Sequence, residues 1–251
     1  MNTDLTFSGS TDTDFGTATW TMATDGTFLG ESGADHSFKI ASDLGTFGIG
    51  NAGDAANAVD DITPSAFEEA NGSGSGTYSV DFGSGMDGSM SLTYSNSDVV
   101  GTGISVAYSY YPKLDGKTNN EKVASANNNA ATSSAQSINV GLPVSSVPVI
   151  GDTALGGMKI TLGYEESDSR TSLASDKRGG TVAVVLPVGP LKIGYQKKGY
   201  QAVSATATEA GKAFYKDDII GVAYALNDDL ALSYNIIAVS YTHLRAHETL
   251  L

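Results

Sequence analysis

The densest chemistry in this chain is a run of carboxylates without a counter-cation. Between 52 and 87 stand Asp54, Asp60, Asp61, Glu68, Glu69, Asp81 and Asp87, and no Lys or Arg. The stretch is too long for an ordinary hairpin connection. Clustered carboxylates on a wall or loop are how a wide aqueous pore acquires a preference for cations. The same residues also suit a solvated surface loop.

Other arrangements that could carry chemistry are incomplete. The run DFGSGMD (81–87) lacks the terminal bidentate Glu of an EF-hand. The glycines of GSGSG (72–76) have no strand before them and no helix after them, so a phosphate loop is not expected. His36 stands alone at a strand start. The other histidines, His243 and His247, lie near the C-terminus. If they are set aside, His36 is the only base, and no Ser–His–Asp arrangement can be assembled. Neither a catalytic residue, a metal ligand nor a cofactor is expected, and the chain is expected not to be an enzyme.

The elements that must position these groups are strands. In ISVAYSYY (104–111), MKITLGYEE (158–166), LKIGYQKK (191–198) and LALSYN (230–235), apolar residues alternate with small or polar ones. A period of 2 is that of a strand. Twelve strands are predicted, at 3–10, 15–23, 35–42, 45–51, 88–96, 103–112, 137–144, 157–166, 179–187, 190–199, 216–226 and 229–237. The run SAFEEA (65–70), behind Thr63-Pro64, suits a short helix within the acidic loop.

Connections alternate in length. Tight turns are expected at 11–14, 43–45, 188–190 and 227–229, with a longer one at 145–156. Long polar loops fall at 24–34, 52–87, 113–136, 167–178 and 200–215. Short turns at one end and long loops at the other describe an up-and-down transmembrane β-barrel, not a Greek-key sandwich.

The two faces can be assigned. Phe7, Trp20, Phe38, Leu92, Ile160 and Ile193 share the apolar phase, and Thr19, Ser109, Asn139, Thr161 and Gln196 the polar one. A Lys turned to lipid at mid-strand would cost ~2–4 kcal/mol. Lys39, Lys159 and Lys192, all in the polar phase, therefore mark the lumen. Tyr108, Tyr110, Tyr164, Tyr195 and Tyr234 are expected at strand ends toward the long loops, and Tyr94 and Tyr224 toward the short turns. Together they would form aromatic girdles.

Composition agrees. Charged residues are 17% of the chain, Gly numbers 30, Cys is absent and the formal net charge is −14. No window holds the roughly 18 apolar residues of a transmembrane helix. So acidic a chain is not expected to bind nucleic acid; it is compatible with a cation-preferring pore. No signal peptide opens it, so mature material or a missing N-terminus is expected.

The segment VSYTHLRAHET (239–249) resembles an in-frame translation of a sequencing-library adapter. The alternation LALSYNII is clean through Ile237 and then stops. A partial barrel over 1–237 and a non-native tail over 238–251 are expected.

The segments LTFSGSTDTDFG and FKIASDLGTFGIGNAGDA, with the loop behind them, resemble the general diffusion porins of alphaproteobacteria, in outline over 3–237. The resemblance implies a trimeric barrel of sixteen strands with its third loop folded into the pore. On that template the chain is truncated at both ends, an incomplete or open barrel lacking the first strand and the last three. The loop 52–87 would be the constriction, with Asp54, Asp60, Asp61, Glu68 and Glu69 facing basic residues on the wall. Lys39, in the hairpin just before the loop, is the first candidate partner. The implied function is passive diffusion of small hydrophilic solutes and ions, with lipid as partner and the outer membrane of a Gram-negative bacterium as location. The alternative is a secreted or surface structural or adhesive β-protein, whose apolar face would be buried against another sheet.

Overall fold

The computed structural model describes residues 5–24, 35–51, 55, 57–59, 62–64, 89–112, 134–147, 151–153, 155–168, 177–201, 213–227 and 230–243. The fold is all-β. Its strands are β1 (Leu5–Thr13), β2 (Gly16–Thr24), β3 (Asp35–Ser42), β4 (Gly45–Gly50), β5 (Ser91–Asn96) and β6 (Ser105–Tyr111). They continue with β7 (Ala135–Pro143), β8 (Lys159–Ser167), β9 (Lys177–Val188), β10 (Leu191–Gln201), β11 (Ala213–Ala225) and β12 (Ala231–His243). These form one 12-stranded sheet in sequence order, each strand antiparallel to the next. Among the described residues β1 and β12 do not pair, so the sheet is open.

The register follows from the alternation. Antiparallel partners share a face, and a slip of one residue would turn every apolar side chain over. Ile193 pairs with Leu186 on β9 and with Val222 on β11, so apolar residues meet apolar residues. On the opposite face Gln196 pairs with Ala183 and Ile219. The apolar row is the exposed one: Phe7 is 45% exposed, Trp20 45% and Ile220 49%. The polar row is the covered one, with Ser109, Ser137, Thr161, Thr181 and Gln196 all buried. A sandwich would reverse this, and among the described residues no second sheet covers the apolar face.

The short turns depend on local chemistry. In the β3–β4 turn, Ser42 Oγ donates to the Gly45 carbonyl at 3.0 Å. Gly45 has φ +116°, a conformation open to glycine and costly for other residues. The β5–β6 connection contains a 3-10 turn, Val99–Gly101, in which Val100 takes φ 48° and ψ 36°. A β-branched residue is rarely found there. The β7–β8 connection begins with a second 3-10 turn, Val144–Ser146, and it remains on the short-turn end.

One expectation changes in detail. β12 does not stop at Ile237: it runs to His243, with Val239 opposite Asp217 and His243 opposite Ala213. The edge of β11 offers thirteen residues of backbone ladder, and backbone pairing needs no side-chain alternation. Of the loop 52–87, only 55, 57–59 and 62–64 are described, so the helix expected at 65–70 lies outside the described residues.

Candidate functional site

Residues 55, 57–59 and 62–64 lie against the polar face of the sheet. Ala55 N donates to Ser109 Oγ on β6 at 3.2 Å, and Asn139 on β7 donates through Nδ2 to the Ala55 carbonyl. A 3-10 turn, Asn57–Val59, follows. Val59 rests over Gly163 on β8, where an added Cβ would lie 2.4 Å from its Cγ2. Thr63 and Pro64 then reach Gly194 on β10 and Gly221 on β11. A Cβ at Gly194 would meet Pro64 Cδ at 2.3 Å, and one at Gly221 would meet the Pro64 carbonyl oxygen at 2.8 Å. From β6 to β11 is five inter-strand steps, roughly 24 Å at about 4.8 Å each. Ten residues of which three form a 3-10 turn can reach about 26 Å at most, enough to make the crossing. Wall residues without side chains give the segment its track.

Gln196 on β10 holds the middle of this crossing. It is fully buried. Its Oε1 accepts from Ile62 N at 3.1 Å and from Thr63 Oγ1 at 3.2 Å. Its Nε2 donates to the Val59 carbonyl at 2.8 Å and to Thr181 Oγ1 on β9 at 3.1 Å. Two bonds accepted and two donated match what a primary amide can offer. Sequence reading placed Gln196 on the polar face but gave it no role. Only the return of a distant segment reveals one.

Lys39, Lys159 and Lys192 stand on the same face of the sheet as Gln196 and are exposed. Lys159 pairs with Val185 on β9 and Lys192 with Pro187 on the same strand, so these two flank β9 near the short-turn end. Lys39 pairs with Thr19 and Gly48 in the middle of β3. That is five strands before Lys159 in the sheet order. Asp54, Asp60, Asp61, Glu68 and Glu69 lie outside the described residues, but Ala55, Val59 and Ile62 between them are on the wall.

Charged residues not singled out in the sequence also lie on the polar face. Glu165 on β8, Lys198 on β10 and Asp217 on β11 are each buried, and Lys198 and Asp217 are cross-strand partners. Taking an ion out of water costs several kcal/mol unless it is compensated. These residues therefore belong to the covered part of the wall. Their signal was present: Glu165 keeps the phase of Lys159 and Thr161, and Lys198 that of Lys192 and Gln196.

The tyrosines lie on the outward face, distributed less simply than two rims. Tyr94 pairs directly with Tyr108, so these two are neighbours and do not stand on opposite rims. Tyr94 also packs on Phe47, with ring centroids 4.9 Å apart, and donates to the Leu44 carbonyl at 2.8 Å. Tyr110 pairs with Gln136, Tyr164 with Ile138 and Tyr195 with Ile220. Tyr224 pairs with Leu232, and Tyr234 with Val222 one step further along. Tyr234 thus falls near the short-turn end, because β12 extends past the expected stop. Toward the long loops the outward face becomes polar. Tyr108 donates to Gln136 Oε1 at 2.9 Å and Tyr164 to Glu166 Oε2 at 2.7 Å. Arg178 Nε lies 3.9 Å from Glu166, and Lys197 Nζ lies 3.1 Å from Asp218.

No protein-family model matches the chain, and no curated protein matches it. Among solved structures it is similar to OmpT, an outer membrane protein of the Gram-negative bacterium Vibrio cholerae. The loop L8 deletion mutant matches at 15% identity and TM-score 0.41, covering 96% of this chain and 91% of that one. OmpT folded in vitro matches at 16% identity and TM-score 0.43, covering 97% and 85%. Its trimer form matches at 12% identity and TM-score 0.40, covering 96% and 81%. So loose a likeness carries no argument about activity. One expectation is nevertheless corrected. The expectation that the chain is not an enzyme is withdrawn, because barrels of one architecture host unrelated functions and the fold excludes no activity.

Proposed function

We propose that the chain forms the wall of an outer-membrane porin. Small hydrophilic solutes and ions would diffuse through a water-filled lumen narrowed by the segment behind β4. The observation that carries this reading is the crossing of 55–64 over a polar inner wall, on a sheet whose apolar face is turned outward. The carboxylates of 52–87 and the net charge of −14 favour cations. The resemblance to alphaproteobacterial diffusion porins is part of the proposal. So are a three-copy assembly and an adapter origin for 238–251.

Planar-bilayer recording tests it. Stepwise conductance is expected, with a reversal potential that favours the cation in a KCl gradient. Asp60→Asn with Asp61→Asn should move that potential toward zero. Insertion without conductance would overturn the proposal.

A further inference from the structure

The polar face changes character along the strands. Toward the long loops it is covered: Glu165 on β8, Lys198 on β10 and Asp217 on β11 are buried there, with Lys198 opposite Asp217. Toward the short turns it is open, and Lys159 and Lys192 are exposed. Both stand off the crossing. Lys192 lies two residues from Gly194 and Lys159 four from Gly163, roughly 7 and 13 Å along the strands. Among the described residues neither ammonium is paired with a carboxylate. Between the crossing and the short turns, the described residues on the polar face of β6 to β11 include no Asp or Glu. On the outward face cations are placed differently: Arg178 and Lys197 stand beside Glu166 and Asp218.

Lys159 has a second donor beside it. Its stem lies across Gly141 on β7, where an added Cβ would meet Lys159 Cε at 3.0 Å and Nζ at 3.5 Å. The Ser105 hydroxyl on β6 lies nearer still to the same point. An ammonium and a hydroxyl therefore converge over a residue without a side chain, and both can donate to one small oxyanion.

We infer that Lys159 with Ser105, and Lys192 nearer the crossing, form an anion-accepting vestibule in the short-turn half of the lumen. The inference rests on the channel reading above and deepens it. The carboxylates of 52–87 favour cations, and this stretch of wall gives small anions a foothold on the same route. A cleft lined by one sign of charge raises the local concentration of its counter-ions. Because these uncompensated cations sit toward one end of the lumen, current should pass more easily in one direction than in the other.

Planar-bilayer recording of the full chain in KCl tests it. A rectifying current–voltage curve is expected at about 0.1 M, flattening near 1 M as the Debye length falls from about 10 Å to about 3 Å. Lys159→Gln with Lys192→Gln should lower chloride permeability relative to potassium by about threefold for each charge removed, the factor for unit charges roughly 6 Å apart in water. Lys159→Arg should keep the wild-type ratio. Inorganic phosphate, added to one chamber at a time, should slow chloride passage from one side only, and Ser105→Ala should weaken that effect. Circular dichroism confirms that each variant keeps its strand content, and Lys192→Gln alone suffices if the double variant does not fold. A symmetric curve at low salt, a permeability ratio unmoved by the lysine substitutions, or phosphate acting equally from both sides would overturn the inference. A chain that shows no conductance overturns the channel reading and this one with it. A chain that conducts without rectification overturns this one only.

Discussion

Gln196 on β10 and Val59 on the returning segment are joined by a hydrogen bond of 2.8 Å, from the side-chain amide to a backbone carbonyl. The two residues are 137 positions apart. One side chain therefore fixes where the segment crosses the wall.

Gln196→Leu should release that crossing while leaving the sheet intact. The variant strands the Val59 carbonyl and the Ile62 amide in a covered site, at ~1–3 kcal/mol for each unsatisfied group. Cleavage by a glutamate-specific protease at Glu68 and Glu69 should accelerate, and single-channel conductance should rise. Cleavage at the wild-type rate would argue against the anchor.

Gly194→Val should be destabilising because the new side chain meets Pro64 at 2.3 Å from its first carbon. Overpacking of this kind costs about 1–3 kcal/mol. Gly9→Ala is the control, since nothing lies within 4 Å of a Cβ at that position. Urea titration of both variants in micelles measures the contrast.

Neighbours on one strand should respond in opposite ways. Ile193→Lys places a charge on the outward face and should cost ~2–4 kcal/mol in a bilayer. Lys192→Gln, one residue earlier and facing the lumen, should leave folding stability unchanged. Equal responses would mean that the two faces have been assigned the wrong way round.

Val100→Gly should stabilise the fold by about 1 kcal/mol, because it relieves a left-handed backbone at a β-branched residue. Val100 is almost wholly exposed, so little packing is lost. Thermal unfolding followed by circular dichroism reads the gain.

The strands were legible because a period of 2 is written in adjacent residues. Phe38, Lys39 and Ile40 declare their faces without any knowledge of the rest of the chain, and the register then follows from pairing like with like. The crossing segment was legible only as an oddity of length and charge. Nothing local distinguishes Gln196, Asn139 and Ser109 from the other residues of the polar face, and the glycines at 163, 194 and 221 read as ordinary strand glycines. Their meaning depends on Val59, Thr63 and Pro64 arriving from far away. Tyr234 was misplaced for a related reason: where β12 ends is set by the length of β11, not by its own alternation.

The crossing segment also implies an order of assembly. Each strand pairs with its sequence neighbour, so the sheet can grow hairpin by hairpin from local contacts. The segment cannot settle by that route. Its bonds to Ser109 and Gln196 span 54 and 137 positions, and long loop closures are slow to form. Ala55 can find Ser109 and Asn139 once β6 and β7 are in place, but Val59, Ile62 and Thr63 have no Gln196 to hold until β10 has joined the sheet. The segment therefore settles in stages, its first residue on β6 and β7 and its last on β10 and β11.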